Sequence, residues 1–274
     1  MYLNYFGLGE YPFSITPDTE YTYNAIGHEE ALNTLLMAIG DGEGFVKITG
    51  EVGAGKTLLC RKLLTMLGEN RVAAYIPNPQ LEPRAMLVEV AEELRASAGA
   101  DASTLVKAIN RRVLEIAAEG KTAVLCIDEA QTMPSLTLQT LRMLSNLETE
   151  KRKLIQIVLF GQPELDDMLA EKSARQLLQR ITFHYRMPGL QRHELGTYLQ
   201  HRLRVAGYRA PVALFSRAAR WAIYRHSNGL PRLVNILAHK AMLAAFGEGA
   251  ECVGFAHVRQ AANDTESAFR RGWF

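Results

Sequence analysis

Eight consecutive residues, Gly50-Glu51-Val52-Gly53-Ala54-Gly55-Lys56-Thr57, carry the spacing G-x-x-x-x-G-K-T, with an apolar run before them and a helical pattern after. Glycines let a backbone turn tightly and aim successive N–H groups at phosphate oxygens, and a helix starting at Lys56 adds the positive end of its dipole. Gly50 to Leu58 are therefore expected to cradle the phosphates of a nucleotide. Lys56 would neutralise the outer phosphates and the Thr57 hydroxyl would ligate Mg²⁺. About 70 residues further on, the apolar run Ala123 to Ile127 ends in Asp128-Glu129. A carboxylate pair at the carboxyl end of a buried strand sits where open α/β sheets bind ligands. Asp128 is expected to hold Mg²⁺, and Glu129 to polarise an attacking water as general base. On its own the pair would serve equally as a cap on the next helix; the phosphate loop upstream gives it a chemical reading.

These residues need a scaffold, and the periodicities supply one. Residues 1–25 are aromatic-rich and irregular, broken by Pro12 and Pro17. His28 to Ile39 reads as a helix, ended by Gly40, Gly42 and Gly44. Strands are expected over Phe45–Thr49, Val72–Ile76, Ala123–Ile127, Leu154–Phe160 and Ile181–Tyr185. Helical stretches lie between them, over Lys56–Leu67, Pro83–Ser97, Ser103–Glu119, Leu136–Glu148 and around Arg175–Gln179. Alternating strands and helices mean βαβ units and a parallel sheet covered by helices on both faces. After Pro188 only helical periodicity remains, over Gln191–Val205, Leu214–Tyr224, Arg232–Phe246 and Phe255–Ser267. The expectation is an α/β core with a five-stranded parallel sheet over residues 1–188, followed by an all-helical domain over 189–274.

The bulk numbers fit such a chain. Its 274 residues are 48% hydrophobic and 22% charged, which suits a globular protein and excludes disorder. A net charge of +2 makes no electrostatic case for nucleic acid or an anionic membrane. Cys60, Cys126 and Cys252 match no metal-ligand or disulfide pattern. No leader is visible at the start, and no window holds the roughly 18 apolar residues of a spanning helix. A cytoplasmic protein is expected, peripheral to the inner membrane only through a partner.

The D-E pair together with a helical second domain resembles the AAA+ branch of the P-loop ATPases. The resemblance implies ATP/ADP and Mg²⁺ as ligands, a three-layer αβα core and a helical lid. Gln162, at the end of the fourth strand, lies where such proteins have their first sensor, often Asn. Arg180, just before the fifth strand, resembles an arginine finger that completes a neighbouring subunit's site, which implies self-association; Arg175 is the competing candidate. Gly229-Leu230-Pro231-Arg232 resembles the second sensor motif, with Arg232 directed at the terminal phosphate, although the same residues make an ordinary helix start with Pro near its first turn. Ile26-Gly27-His28 is either an adenine contact, through Gly27 and His28, or simply a helix start. Tyr5-Phe6-Gly7-Leu8, Pro12-Phe13, Thr16-Pro17-Asp18 and His28 to Leu32 resemble the opening of the ExeA/GspA group of secretion and pilus ATPases. The stretches Gly42–Phe45, Leu58–Leu64 and Tyr75–Pro79 look closest to the MshM-type ATPases of mannose-sensitive haemagglutinin pilus biogenesis. ExeA-like members continue into a transmembrane segment and a peptidoglycan-binding domain; a sequence ending at Phe274 with neither favours the MshM type. The tail Phe269 to Phe274 mixes basic and aromatic residues and either docks on a partner or packs on its own domain.

The expected function is therefore ATP hydrolysis coupled to assembly of a type IV pilus or general secretion machine, with an inner-membrane component as partner. The alternative is a nucleic-acid-associated regulator of the transposition-targeting or replication-initiator kind. Its only footing is the basic concentration of Arg202, Arg204, Arg217, Arg220 and Arg225, read as a solvated or intersubunit face. A nucleotide-gated scaffold with slow turnover is disfavoured by Glu129, and no acceptor-binding element supports a kinase.

Overall fold

The computed structural model describes residues 2–15, 21, 23–97, 101–148 and 153–269. Thr16-Pro17-Asp18 and the tail beyond Phe269 lie outside the described residues. The chain divides into two compact units: Met1–Glu29, Val52–Ala54 and Pro188–Phe274 form the first, Glu30–Glu51 and Gly55–Met187 the second.

The second unit is built on five parallel strands, β1 Phe45–Thr49, β2 Arg71–Ile76, β3 Thr122–Ile127, β4 Ile155–Gly161 and β5 Ile181–Arg186. Their order across the sheet is β2-β3-β4-β1-β5, and every pairing is parallel. β1 and β4 are buried along their whole length, as central strands covered on two faces must be, and they are mostly apolar, interrupted by Lys47 and Thr49 in β1 and Gln156 in β4. β5, on the edge, alternates half-buried and exposed residues. Side chains alternate across a strand. Ala123, Leu125 and Ile127 of β3 share one apolar cluster with α4 Pro83–Glu93, α5 Ala102–Ala118 and α6 Ser135–Leu144. The intervening Val124 and Cys126 are also buried and belong to the opposite face. α2 Ile26–Gly40 leads into β1, and α3 Lys56–Met66, α7 Glu164–Ala170 and the short α8 Arg175–Leu178 lie on the connections between strands. This is the expected α/β P-loop NTPase core.

Element ends differ from expectation where local chemistry sets them. α4 stops at Glu93 rather than Ser97, with Arg95 in left-handed backbone at φ 55. α5 starts on a capping box made by Asp101 and Thr104. α7 has no counterpart in the periodicity reading, since seven residues with three carboxylates in the first turn show little apolar pattern.

The first unit contains α9 Glu194–Val205, α10 Arg217–Ser227, α11 Pro231–Gly247 and α12 Phe255–Asn263. α10 begins three residues later than its periodicity suggested because Ser216 caps it, its Oγ accepting the Ala219 N–H at 3.1 Å. The N-terminal segment belongs to this unit. It holds one helical turn, α1 Tyr2–Tyr5, and buries Tyr2, Phe6, Leu8 and Phe13 in the same apolar cluster as Leu195, Leu199, Phe215 and Leu237. Arg202 is a correction to the sequence reading: it is not on a solvated face. It is 7% exposed, donates to the Pro12 carbonyl at 2.6 Å and the Ser14 carbonyl at 3.4 Å, and stacks 4.6 Å from the Tyr21 ring. Arg225 stacks on Trp221 at 5.4 Å. Cys60 and Cys126 are buried and Cys252 is exposed. No described helix is long and apolar enough to cross a membrane.

Candidate functional site

The loop from Gly50 to Gly55 leaves the carboxyl end of β1 and turns into α3. Its start is anchored where the Gly50 N–H donates to the Gly161 carbonyl at the end of β4 (3.1 Å). Gly55 is the N-cap of α3 at φ 97, a left-handed conformation that only glycine adopts without strain. No side chain caps that helix, so the amide groups of its first turn stay available for an anion. Gly53, at the loop tip, has φ +79; a Cβ there would come within 2.4 Å of Arg232 Cβ. The Arg232 N–H donates to the Gly53 carbonyl at 3.4 Å.

Lys56, the first residue of α3, is 5% exposed. Its ammonium donates to the carbonyls of Gly50 at 2.8 Å and Glu51 at 3.1 Å. Burial pulls its pKa below the ordinary lysine value, against the opposing pull of Glu129 and Asp128. The next residue, Thr57, donates its hydroxyl to Asp128 Oδ2 at 2.6 Å, linking the start of α3 to the end of β3. Asp128 is 2% exposed, and burial raises its pKa against the Thr57 hydrogen bond.

Glu129 follows in left-handed backbone, φ 49 and ψ 38, which a non-glycine residue adopts at a cost of about 1–3 kcal/mol. Its surroundings over-determine it. Its N–H donates to Asp128 Oδ1 at 3.0 Å, and its carbonyl accepts both the N–H and the hydroxyl of Thr132 at 2.9 Å. The Glu129 carboxylate accepts on Oε2 from Gln162 Nε2 at 3.1 Å and from Gln131 Nε2 at 2.6 Å. Gln131 was not singled out from the sequence. It lies on the 3₁₀ turn Ala130–Thr132, and its only trace is an amide two residues after the acidic pair.

The structure thus brings Lys56, Thr57, Asp128, Glu129 and Gln162 together at the carboxyl ends of β1, β3 and β4. Arg180 is exposed before β5, and its Nη1 donates to Ser145 Oγ at 2.8 Å rather than to any of these five. Arg175 is exposed on α8. Gly27 and His28 lie in the first turn of α2, where the Ile26 N–H donates to Glu194 Oε1 at 2.9 Å. In the Gly229–Arg232 motif the glycine and proline have structural reasons. A Cβ on Gly229, at φ +75, would come within 2.1 Å of the Leu190 carbonyl oxygen, and Pro231 opens α11.

The donor set tests the expected ligands. Left-handed glycines at 53 and 55 and an uncapped helix start suit a phosphate. Thr57 and Asp128 present hard oxygens suited to Mg²⁺. Among the described residues, no group of three or more His, Cys, Asp or Glu side chains is gathered for a metal.

Comparison with known proteins agrees with this geometry. Residues 39–169 match the AAA domain family. General secretion pathway protein A of Aeromonas hydrophila is 41% identical over 264 residues, which are 96% of this chain and 48% of that protein. The chain therefore spans about half the length of that relative. Among solved structures, Cdc6p of Pyrobaculum aerophilum aligns with a TM-score of 0.65 at 20% identity, covering 92% of this chain and 70% of that one. The Aeropyrum pernix ORC2 protein aligns with a TM-score of 0.63, also at 20% identity, covering 92% and 71%. At that identity the two structures speak for the fold alone.

Proposed function

We propose that this chain, whose residues 39–169 match the AAA domain family and which is similar to General secretion pathway protein A, binds ATP with Mg²⁺ and hydrolyses it to drive assembly of an envelope secretion or pilus machine. The observation that carries the nucleotide half is the bond between Thr57 and Asp128, 2.6 Å long, beside the buried ammonium of Lys56. It joins the phosphate loop to the carboxylate strand through two hard oxygens.

The residues divide the work by chemistry. Backbone N–H groups from Gly50 to Leu58 bind the phosphates, and Lys56 neutralises them. Thr57 and Asp128 hold the metal ion, which supplies charge neutralisation at the transferring group when bound. Glu129 takes a proton from the attacking water. Gln162 orients Glu129 from the end of β4. Arg232, bonded at the loop tip to Gly53, is the contribution of the helical lid, and Arg180 acts in trans on a second copy. Gly27 and His28 contact the adenine. The working parts are the α/β core and the helical lid of 189–274; the segment before Glu30, expected with the core of residues 1–188, groups with the helical unit instead.

The name of the relative supports a secretion role, and within it we favour type IV pilus biogenesis of the MshM kind, acting at the cytoplasmic side of the inner membrane through a partner. The nucleic-acid reading rests on the basic face, and that face loses Arg202 to the interior.

The test is ATP turnover per subunit as protein concentration rises, with Lys56→Ala as the blank. Specific activity is expected to climb with concentration, and Arg180→Ala to abolish the climb. A flat profile removes the trans assignment of Arg180. Salt-sensitive DNA retention in a filter-binding assay would turn the reading toward the regulator, and normal pilus assembly after gene deletion would remove the pilus role.

A further inference from the structure

Resting on the hydrolytic reading above, we propose that Gln131 is a positioning residue for ATP cleavage: with Gln162 it pins the Glu129 carboxylate by Oε2, so that Oε1 is the oxygen left to take the water's proton.

Three observations carry this. First, the two amides converge on one oxygen. Gln131 Nε2 lies 2.6 Å and Gln162 Nε2 3.1 Å from Glu129 Oε2. A carboxylate held by two donors on one oxygen has one rotamer and one free basic oxygen. Second, the orientation of the Gln131 amide is set at its other end, because its Oε1 accepts the Gln162 backbone N–H at 3.0 Å. A flipped amide would lose that bond and set its oxygen against a carboxylate. Gln131, Gln162 and Glu129 therefore form a closed ring joining the end of β3, the 3₁₀ turn and the end of β4. Third, the approach depends on Gly161, the last residue of β4. A Cβ there would stand 3.3 Å from Gln131 Oε1 and 2.6 Å from Leu165 Cδ2. With its backbone held in the left-handed region, Glu129 has both main chain and side chain fixed before any water arrives.

In the cleavage step the water oxygen bonds to the terminal phosphorus and the bond from that phosphorus to the bridging oxygen breaks. The electron pair leaves with ADP, and the water's proton passes to Glu129 Oε1. Gln131 touches none of the reacting atoms; it acts through Glu129.

The experiment is single-turnover ATP hydrolysis with protein in excess, alongside affinity for a fluorescent ATP analogue, for the parent, Gln131→Met and Gln131→Glu. Methionine keeps the length of the side chain and removes both polar ends. The Gln131→Met rate is expected to fall about tenfold to a hundredfold, the size of effect that follows a reacting group displaced by about 1 Å. Analogue affinity should stay within about twofold. Gln131→Glu sets a second carboxylate against Oε2, so its rate relative to the parent should be low at neutral pH and rise as pH is lowered and the introduced carboxyl protonates into a donor. A merely structural role would lower affinity and melting temperature in the two variants alike and give no such rise. Parent-like rates in both variants, or losses of rate and affinity in parallel, overturn the inference and leave the ATPase reading intact. A parent that binds no ATP, or binds it without cleaving it, overturns the hydrolytic reading itself.

Discussion

Two cations are buried to nearly the same extent, Lys56 at 5% exposure in the second unit and Arg202 at 7% in the first, and they are treated in opposite ways. Arg202 is bonded through every one of its side-chain nitrogens. Its three nitrogens reach the carbonyls of Pro12 and Ser14 and the Tyr198 hydroxyl, while its plane lies over Tyr21. The network continues, since Tyr198 donates to Asn235, and Asn235 donates back to the Ser14 carbonyl at 3.3 Å. Lys56 bonds to two carbonyls of its own loop, and burial holds its pKa below the ordinary value. A flat guanidinium with five fixed donors suits permanent satisfaction, whereas an ammonium on a flexible stem can exchange partners. A buried charge used for structure is closed off by its neighbours. On the proposed function, Lys56 would exchange its loop carbonyls for a phosphate.

The sharpest way to break this contrast is Lys56→Ala. It should lower ATP affinity and turnover by at least about a hundredfold, a loss of roughly 3 kcal/mol or more, with the melting temperature of the nucleotide-free protein unchanged or raised. A large drop in that melting temperature would mean that Lys56 is structural after all. Next in size is Arg202→Ala. Removing charged hydrogen bonds and a cation–π contact should cost about 3 kcal/mol of stability in chemical denaturation, while ATP affinity of the folded protein holds. Arg202→Lys should recover only part of that loss, because a point charge cannot span the two carbonyls and the ring.

The smallest effect concerns the other buried charge at the loop. Burial raises the Asp128 pKa, so its ionised form is disfavoured by folding. The parent therefore loses stability as pH rises from the ordinary aspartate value through the raised folded one. Asp128→Asn should raise the melting temperature of the nucleotide-free protein at neutral pH. That advantage should shrink as pH falls through the raised value toward the ordinary one. An advantage that persists unchanged in acid would show that hydrogen-bond geometry, not charge, is responsible.

The same contrast separates what could be read from the sequence. Glycine spacing, a lysine, a threonine and an acidic pair after an apolar run are local patterns, and they located Lys56, Thr57, Asp128 and Glu129. All five strands were legible because the central ones are mostly apolar and the two edge strands, β2 and β5, keep enough apolar residues. Arg202 was misread as solvated because its partners Pro12 and Ser14 lie 190 and 188 positions away along the chain. Helical periodicity carries no record of an aromatic segment returning from so far. Gln131 escaped for another reason: a glutamine beside an acidic pair looks like any polar residue at a helix start, and only the fold brings Gln162 to it. The aromatic opening of the chain was legible as composition, but its place in the core of the helical unit, through Tyr2, Phe6 and Phe13, was not.

The three thiols have a practical consequence. Thiolate is the species that alkylates, and access decides which thiol forms it. Cys252 is exposed, whereas Cys60 and Cys126 are sealed inside the core and the Cys60 thiol is pushed well above its usual pKa by hydrogen bonding to Cys126 and by burial. The folded chain thus offers a maleimide one attachment point without any engineering, and it lies in the helical unit. The two silent thiols become a clock for opening of the α/β unit, labelled only as fast as that unit exposes them.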